Sequence, residues 1–236
     1  MRPKLYAVIS ILLFAILYCY TAIGVFIILI FAFIRIKGPI RFLSQFWAMS
    51  VFFIIGKRLH VQGRENISKD QRYILVANHA SLFDIVAIMS FYPGVTWFGH
   101  ERLLKVPLFG RILKMTDYVP FKEPTVKNTK EMLEQLVLRA REHTVAIFPE
   151  GTRTLDGKIN DFYKGFIYLF RTSDIGILPV TLNGFYRLKP KNRASINFDS
   201  RLEIIIHEPV KRELLIEKSD IEIIDTVKSV IESAYK

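Results

Sequence analysis

Thirty consecutive residues, Leu5 to Ile34, carry no charge. Only Ser10, Thr21 and Gly24 interrupt this run of aliphatic and aromatic side chains. So much contiguous apolar surface is stable only if it is taken out of water, and a lipid phase does that more completely than the core of a chain of this size. At about 1.5 Å per residue the run makes a helix of roughly 45 Å, against a hydrocarbon core of about 30 Å, so one tilted or kinked span fits and two full spans do not. A cleaved signal peptide needs an apolar region of only about 7–15 residues and a small-residue cleavage site. This run is longer, and no clear site follows it.

Arg35, Lys37 and Arg41 come next, and then a second apolar segment, Phe42 to Ile55, closed by Lys57 and Arg58. It is too short to span comfortably. An interfacial helix with Trp47 at headgroup level is the expectation, with a second span or a re-entrant hairpin as alternatives. The basic residues behind the first segment outnumber Arg2 and Lys4 before it. The positive-inside rule therefore places the larger domain on the cytoplasmic side of the cell membrane. Residues 1–57 are read as a membrane-anchoring helical region and residues 58–236 as one catalytic-sized domain.

The net charge of +11 is unevenly distributed: residues 1–60 hold 7 of the 33 Lys and Arg and none of the 22 acids, which leaves +4 for the remainder. That balance suits attraction to anionic membrane lipid. It does not suit nucleic acid, which calls for a concentrated basic stripe in the folded domain, and no nucleic-acid motif is present. The lone cysteine, Cys19, lies inside the apolar run, so no intrachain disulfide can form.

From Arg58 onward strand-like and helix-like pieces alternate, which predicts an α/β fold with a mixed sheet flanked by helices. Strands are expected at Tyr73–Ala77, Thr96–Gly99, Val145–Phe148, Ile177–Leu182, Ala194–Phe198 and Leu202–His207. Helices are expected at Val126–Arg141, Gly165–Arg171 and Asp220–Ala234. Asp199-Ser200, between two apolar runs, predicts a hairpin. Pro179 predicts an edge strand or a position beside a cleft.

The chemistry is concentrated behind two of these strands. Asn78-His79-Ala80-Ser81-Leu82-Phe83-Asp84 follows Tyr73–Ala77 directly. With Ser81 as helix N-cap, Asp84 falls in the first turn and can point back to His79, fixing its tautomer and stabilising the imidazolium once it forms. This is the pattern of a general base that takes a proton from a group such as a hydroxyl. Phe148-Pro149-Glu150-Gly151-Thr152-Arg153 ends a second strand, where Gly151 permits a tight backbone path and Arg153 offers a planar cationic fork suited to phosphate. Between them, Lys105 to Arg111 and Tyr118 to Lys122 mix cations with apolar residues, a combination suited to an amphiphile with an anionic head. His60, His100, His143 and His207 have no partner pattern.

The ordered set of Asn78-His79 with Ser81 and Asp84, Lys105 to Gly110, Phe148 to Arg153 and Ile177 to Val180 resembles the glycerolipid acyltransferases typified by bacterial 1-acyl-glycerol-3-phosphate acyltransferase, over roughly residues 57 to 190. The resemblance implies transfer of a fatty acyl group from acyl-CoA or acyl carrier protein to the free hydroxyl of a lysophospholipid. Phosphatidic acid is the product if the acceptor is lysophosphatidic acid. It implies His79 as the base and Asp84 as its orienter. Ser81, Lys105, Lys122, Glu150, Gly151, Thr152 and Arg153 form the substrate-binding set, with Arg153 on phosphate. Neither metal nor cofactor is implied, because the acyl group passes directly from the thioester.

One block departs from the family's pattern, which ends in Ile-Asp-Arg or Val-Asp-Arg with the arginine on phosphate. Here Asp117-Tyr118-Val119-Pro120-Phe121-Lys122-Glu123 puts Glu123 at that arginine's place, and Lys122 beside it is a point charge and not a bidentate fork. A different lysophospholipid or a lyso-aminolipid is therefore a rival acceptor. A membrane-surface lipid-binding scaffold without turnover is the rival from another class. A metal-dependent hydrolase lacks a third ligand at recognisable spacing beside His79 and Asp84.

Overall fold

A computed structural model describes residues 2–33, 38–68, 70–106, 110, 113–114, 118–122 and 125–236. Arg35 and Lys37 of the charge-orientation argument, residues 107–109 of the Lys105–Gly110 block, and Asp117 and Glu123 of the altered block lie outside the described residues.

Tyr73–Ala77, the strand β2, is buried at every position, so it has to be covered on both faces. It is. Tyr73, Leu75 and Ala77 face one apolar layer, and Ile74 and Val76 face the other. The sheet has five strands. With β1 at Leu59–Gln62, β5 at Val145–Ile147, β6 at Gly176–Asn183 and β7 at Leu202–Ile206, the order is β1-β7-β6-β2-β5. All neighbours are parallel except β6 and β7, which makes the sheet mixed, as expected. A separate pair, β3 (Phe98–His100) and β4 (Val119–Phe121), forms where the chain leaves the sheet after the Thr96–Val145 bridge.

Helices cover both faces. On one face lie α2 (Gly38–Ile54) and α3 (Phe83–Phe91), and on the other α4 (Val126–Ala140), α5 (Gly165–Thr172) and, after the short α6 (Phe185–Leu188), α7 (Asp220–Ser233). The last of these starts in a capping box between Ser219 and Glu222, which satisfies two helix-end N–H groups reciprocally.

Two expectations about strands are corrected. Ala194–Phe198 is not a strand, and no hairpin forms at Asp199-Ser200. The donors of this segment are used elsewhere: Ile196 N–H goes to Ser10 Oγ at 2.8 Å, Asn197 N–H to the Leu188 carbonyl at 2.8 Å, and Asp199 N–H to the Asn197 side chain at 2.9 Å. Pro179 lies on β6, the central strand and not an edge. Its carbonyl accepts from His207 N–H at 3.0 Å, so its missing N–H points to the β7 side, beyond Ile206 where β7 ends. The proline therefore falls just past the last register pair of the β6–β7 ladder, Val180 with Ile206.

The first helix, α1 (Arg2–Phe33), contains Lys4–Phe31, which is long and apolar enough to cross a membrane by length and composition. Its N-terminal half packs on the domain through Tyr6 OH to Asp199 at 3.0 Å, Tyr6 edge-on to Phe198, and the Ser10–Ile196 bond. Its later half packs on α2, where Trp47 Nε1 donates to Thr21 Oγ1 at 3.1 Å. Trp47 is thus half-buried and tied to α1. On α2, Ala48, Val51, Phe52 and Ile55 are buried against the domain, at the i, i+3, i+4, i+7 spacing of one helical face. Phe42, Phe46, Met49 and Phe53 form the opposite, exposed stripe.

Candidate active site

The polar ends of β2 and β5 meet at the same edge of the sheet. Asn78 is the first residue beyond β2, and its side chain continues the ladder: Nδ2 donates to the Leu182 carbonyl at 3.0 Å and Oδ1 accepts from Leu182 N–H at 2.8 Å. The side-chain amide stands in for a strand peptide. A leucine there would leave both backbone groups of Leu182 unpaired in a buried place. This fixes where the chain turns, and the turn presents His79.

The His79 peptide is gripped on both sides by the second block. Its N–H donates to Glu150 Oε1 at 2.6 Å, and its carbonyl accepts from Thr154 N–H at 2.9 Å. Glu150 Oε2 accepts from Asn160 N–H at 2.8 Å. Glu150 is buried, and burial pushes its carboxyl up from the ordinary value, opposed by the N–H groups of Asn160 and His79. Both of its oxygens are engaged by the backbone. Its place is beneath the His79 turn, which it ties to the loop at Asn160.

The imidazole is oriented twice. Nδ1 lies 2.8 Å from Asp84 Oδ2, and the ring stacks on Phe148 at 4.0 Å and 12°. Trp97 stacks on the far side of Phe148 at 5.8 Å, so two aromatic rings back the histidine. The same Asp84 oxygen accepts from Ala80 N–H at 2.6 Å and Ser81 N–H at 2.7 Å. Three donors on one oxygen suit an anion, and an anionic partner at Nδ1 assigns the proton of the neutral ring to Nδ1. Nε2 then carries the free lone pair. The His79 side chain is 14% exposed while Asp84 is 0% exposed, so the base reaches the outside and its partner does not.

The other expected site residues divide. Ser81 is buried; its hydroxyl donates to the Lys189 carbonyl at 2.7 Å and accepts from Phe83 N–H at 3.3 Å, so it ties the turn to the chain beyond α6, while the N-cap position of α3 falls on Leu82 and not on Ser81 as expected. Gly151 turns the chain at φ +64°, where a Cβ would press on the Tyr163 ring at 3.3 Å. Thr152 is exposed and accepts from Lys191 Nζ at 3.3 Å. Arg153 is half-buried and has no carboxylate partner among the described residues. Lys105 and Lys122 are exposed, flanking the small β3–β4 sheet, with no hydrogen bond or ion pair among the described residues. The sequence did not mark Trp97, nor the basic stretch that begins at Lys189. Among the described residues no cluster of three His, Cys, Asp or Glu side chains is spaced to hold a metal. A cleft of about 660 Å³ opens beside the starts of β1 and β7, lined by His60, Asn183, Arg201 and Glu203 among others, and none of the residues around His79 contributes to it.

An α/β sheet that ends in a histidine bonded to a buried aspartate, with Gly151 and Arg153 on the neighbouring turn, is an arrangement chemically able to assist group transfer by a base. The profile of the family described as Acyltransferase matches residues 58–183, more than half the chain, and the chain belongs to that family. It is 27% identical over 72% of its length to the chloroplast 1-acyl-sn-glycerol-3-phosphate acyltransferase of Arabidopsis thaliana, covering 48% of that protein. It is 29% identical over 66% of its length to the 1-acyl-sn-glycerol-3-phosphate acyltransferase of Borreliella burgdorferi, covering 62% of it. The chain spans about half the length of several of the curated relatives it matches. The crystal structure of the 1-acyl-sn-glycerophosphate acyltransferase PlsC of Thermotoga maritima superposes with a TM-score of 0.82 at 27% identity, covering 97% of this chain and 95% of that one.

Proposed function

We propose that this protein transfers a fatty acyl group from an acyl thioester, acyl-CoA or acyl carrier protein, to the free hydroxyl of 1-acyl-glycerol-3-phosphate, forming phosphatidic acid in phospholipid biosynthesis. The observation that carries the proposal is the 2.8 Å bond from His79 Nδ1 to the buried Asp84, which leaves Nε2 as the nitrogen free to act as base on a side chain that is 14% exposed. The relatives named above act on this class of acceptor by their descriptions.

In this reading Nε2 takes the hydroxyl proton as the acceptor oxygen attacks the thioester carbonyl. The carbon–oxygen bond forms, the tetrahedral intermediate collapses, the carbon–sulfur bond breaks, and the imidazolium returns its proton to the departing thiolate. Asp84 stabilises the imidazolium in between, and Arg153 holds the acceptor's phosphate. The exposed stripe of Phe42, Phe46, Met49 and Phe53, together with the apolar outer face of α1, holds the domain at the lipid surface, with its active site on the cytoplasmic side.

The test is thiol release from acyl-CoA with lysophosphatidic acid as acceptor. His79→Ala should lower turnover by about 10²–10⁴-fold with the fold and vesicle binding intact. Near-normal turnover in that variant refutes the mechanism. Lipid binding without thiol release by the unaltered protein would make it a scaffold.

A further inference from the structure

Beyond Asn183 the chain passes through α6 into Lys189-Pro190-Lys191-Asn192-Arg193, a basic segment outside all four blocks of the family resemblance. It is docked on the catalytic loops from both sides. The Lys189 carbonyl accepts from the hydroxyl of Ser81, between His79 and Asp84 in the chain, at 2.7 Å. Lys191 Nζ reaches Thr152 Oγ1 at 3.3 Å, next to Arg153.

The three cations of this segment have different occupations. Arg193 folds back on its own loop, donating to the carbonyls of Ser195 at 3.0 Å, Arg187 at 2.6 Å and Leu188 at 2.8 Å, so it is scaffold. Lys189 and Lys191 make no such loop bonds through their ammonium groups. Neither they nor Arg153 has a carboxylate partner among the described residues. Burial lowers the pKa of the Lys189 ammonium, and the charges of Arg153 and Arg193 lower it further. Positive charges brought together without a counter-ion, partly out of water, are unfavourable unless an anion joins them. Lys189 Nζ also lies 6.0 Å from the Phe14 ring of α1, so the same cation meets the apolar helix on its other side.

We propose that Lys189 and Lys191 complete, with Arg153, the site for the phosphomonoester of the acceptor, and that they replace the arginine which the altered second block lacks. This rests on the function proposed above. The acceptor's phosphate is the favoured anion over the phosphates of the donor. One carbon and one oxygen separate that phosphate from the carbon bearing the attacking hydroxyl, and the cations are carried by the two loops that hold His79.

The experiment uses the full chain in detergent or vesicles, with Lys189→Gln, Lys191→Gln, the double variant and Lys189→Arg. Each charge-assisted bond lost is expected to raise KM for lysophosphatidic acid by about 10–100-fold in the double variant, with kcat little changed. KM for acyl-CoA, and the slow rate with uncharged monoacylglycerol, should stay where they are. Lys189→Arg should restore most of the loss. An unchanged KM for lysophosphatidic acid, or a rise matched by the donor's KM or by monoacylglycerol, overturns the assignment. If the unaltered protein does not acylate lysophosphatidic acid, the proposed function fails. Calorimetric titration with glycerol 3-phosphate then decides the anion site separately: binding lost in the double variant supports it, and equal binding sinks it.

Discussion

Glu150→Gln separates a residue that holds the catalytic loop from one that touches the acceptor. The carboxylate accepts two backbone N–H groups, those of His79 at 2.6 Å and Asn160 at 2.8 Å. A glutamine has one oxygen, so one N–H keeps its acceptor and the other meets the amide NH₂, donor against donor. A buried N–H left without a partner costs about 1–3 kcal/mol. Relief from burying a charged carboxyl offsets part of this, because the burial that pushes the Glu150 carboxyl up disfavours the anion. The expected loss is therefore about 1–2 kcal/mol. For a chain of this size that lowers Tm by roughly 2–8 °C. The kinetic effect should be larger than the stability effect. When the His79 peptide shifts, the imidazole moves against Phe148 and Asp84, and a displacement of about 1 Å in a reacting group costs about 10²-fold in rate. The assay is steady-state thiol release at saturating lysophosphatidic acid, with thermal unfolding on the same preparation. The prediction is a fall in kcat with the acceptor KM nearly unchanged. A rise in acceptor KM at constant kcat would mean that Glu150 binds substrate and that its two backbone bonds do not explain its position.

Asp84→Asn should lower kcat by about 10²–10⁴-fold while circular dichroism stays native, because a neutral amide holds the ring without stabilising the imidazolium; a loss below about threefold would refute the orienting role. Lys189 has a testable sign in pH. Its pKa is lowered by burial first and by Arg153 and Arg193 next, so the ammonium is lost as pH rises, before an ordinary lysine would titrate. kcat/KM for lysophosphatidic acid should fall on that alkaline limb, at a pH below the usual lysine range, and Lys189→Arg should flatten it. An identical limb in Lys189→Arg would assign it to another group.

How far the sequence could be read depended on the range of the interactions involved. The strand Tyr73–Ala77 and the spacing of His79 to Asp84 were legible because both are local: an apolar run and a five-residue separation suffice to specify them. The hairpin expected at Asp199-Ser200 failed because the segment's backbone donors are taken elsewhere, that of Ile196 by Ser10, far away in the chain, which no local pattern reveals. The strands Leu59–Gln62 and Val119–Phe121 were missed because four and three residues carry too little alternation to register. Glu150 shows the intermediate case. Its block was recognised, but its partner is an N–H 71 residues earlier, so no local pattern disclosed the backbone bonds that occupy its carboxylate.

The second block's departure raises a general point about how such a site stays functional. A phosphate does not require cations from a particular segment of chain; it requires positive charge at a particular place, unpaired and partly desolvated. In this fold the loop after β6 passes the His79 turn whatever residues it carries, because Asn78 pins β6 to the end of β2 through Leu182 and Ser81 pins the Lys189 carbonyl. All three bonds use backbone groups, of Leu182 in β6 and of Lys189 in the loop, so the loop's side chains remain free to vary. Lysines there supply charge near Arg153, with a less directional grip than an arginine's fork. Discrimination between phosphate monoesters and diesters should then be weaker than a bidentate fork provides, and the ratio of rates on lysophosphatidic acid and lysophosphatidylglycerol measures it. If that ratio is large, and remains so in the Lys189, Lys191 double variant, the headgroup is read by residues other than these.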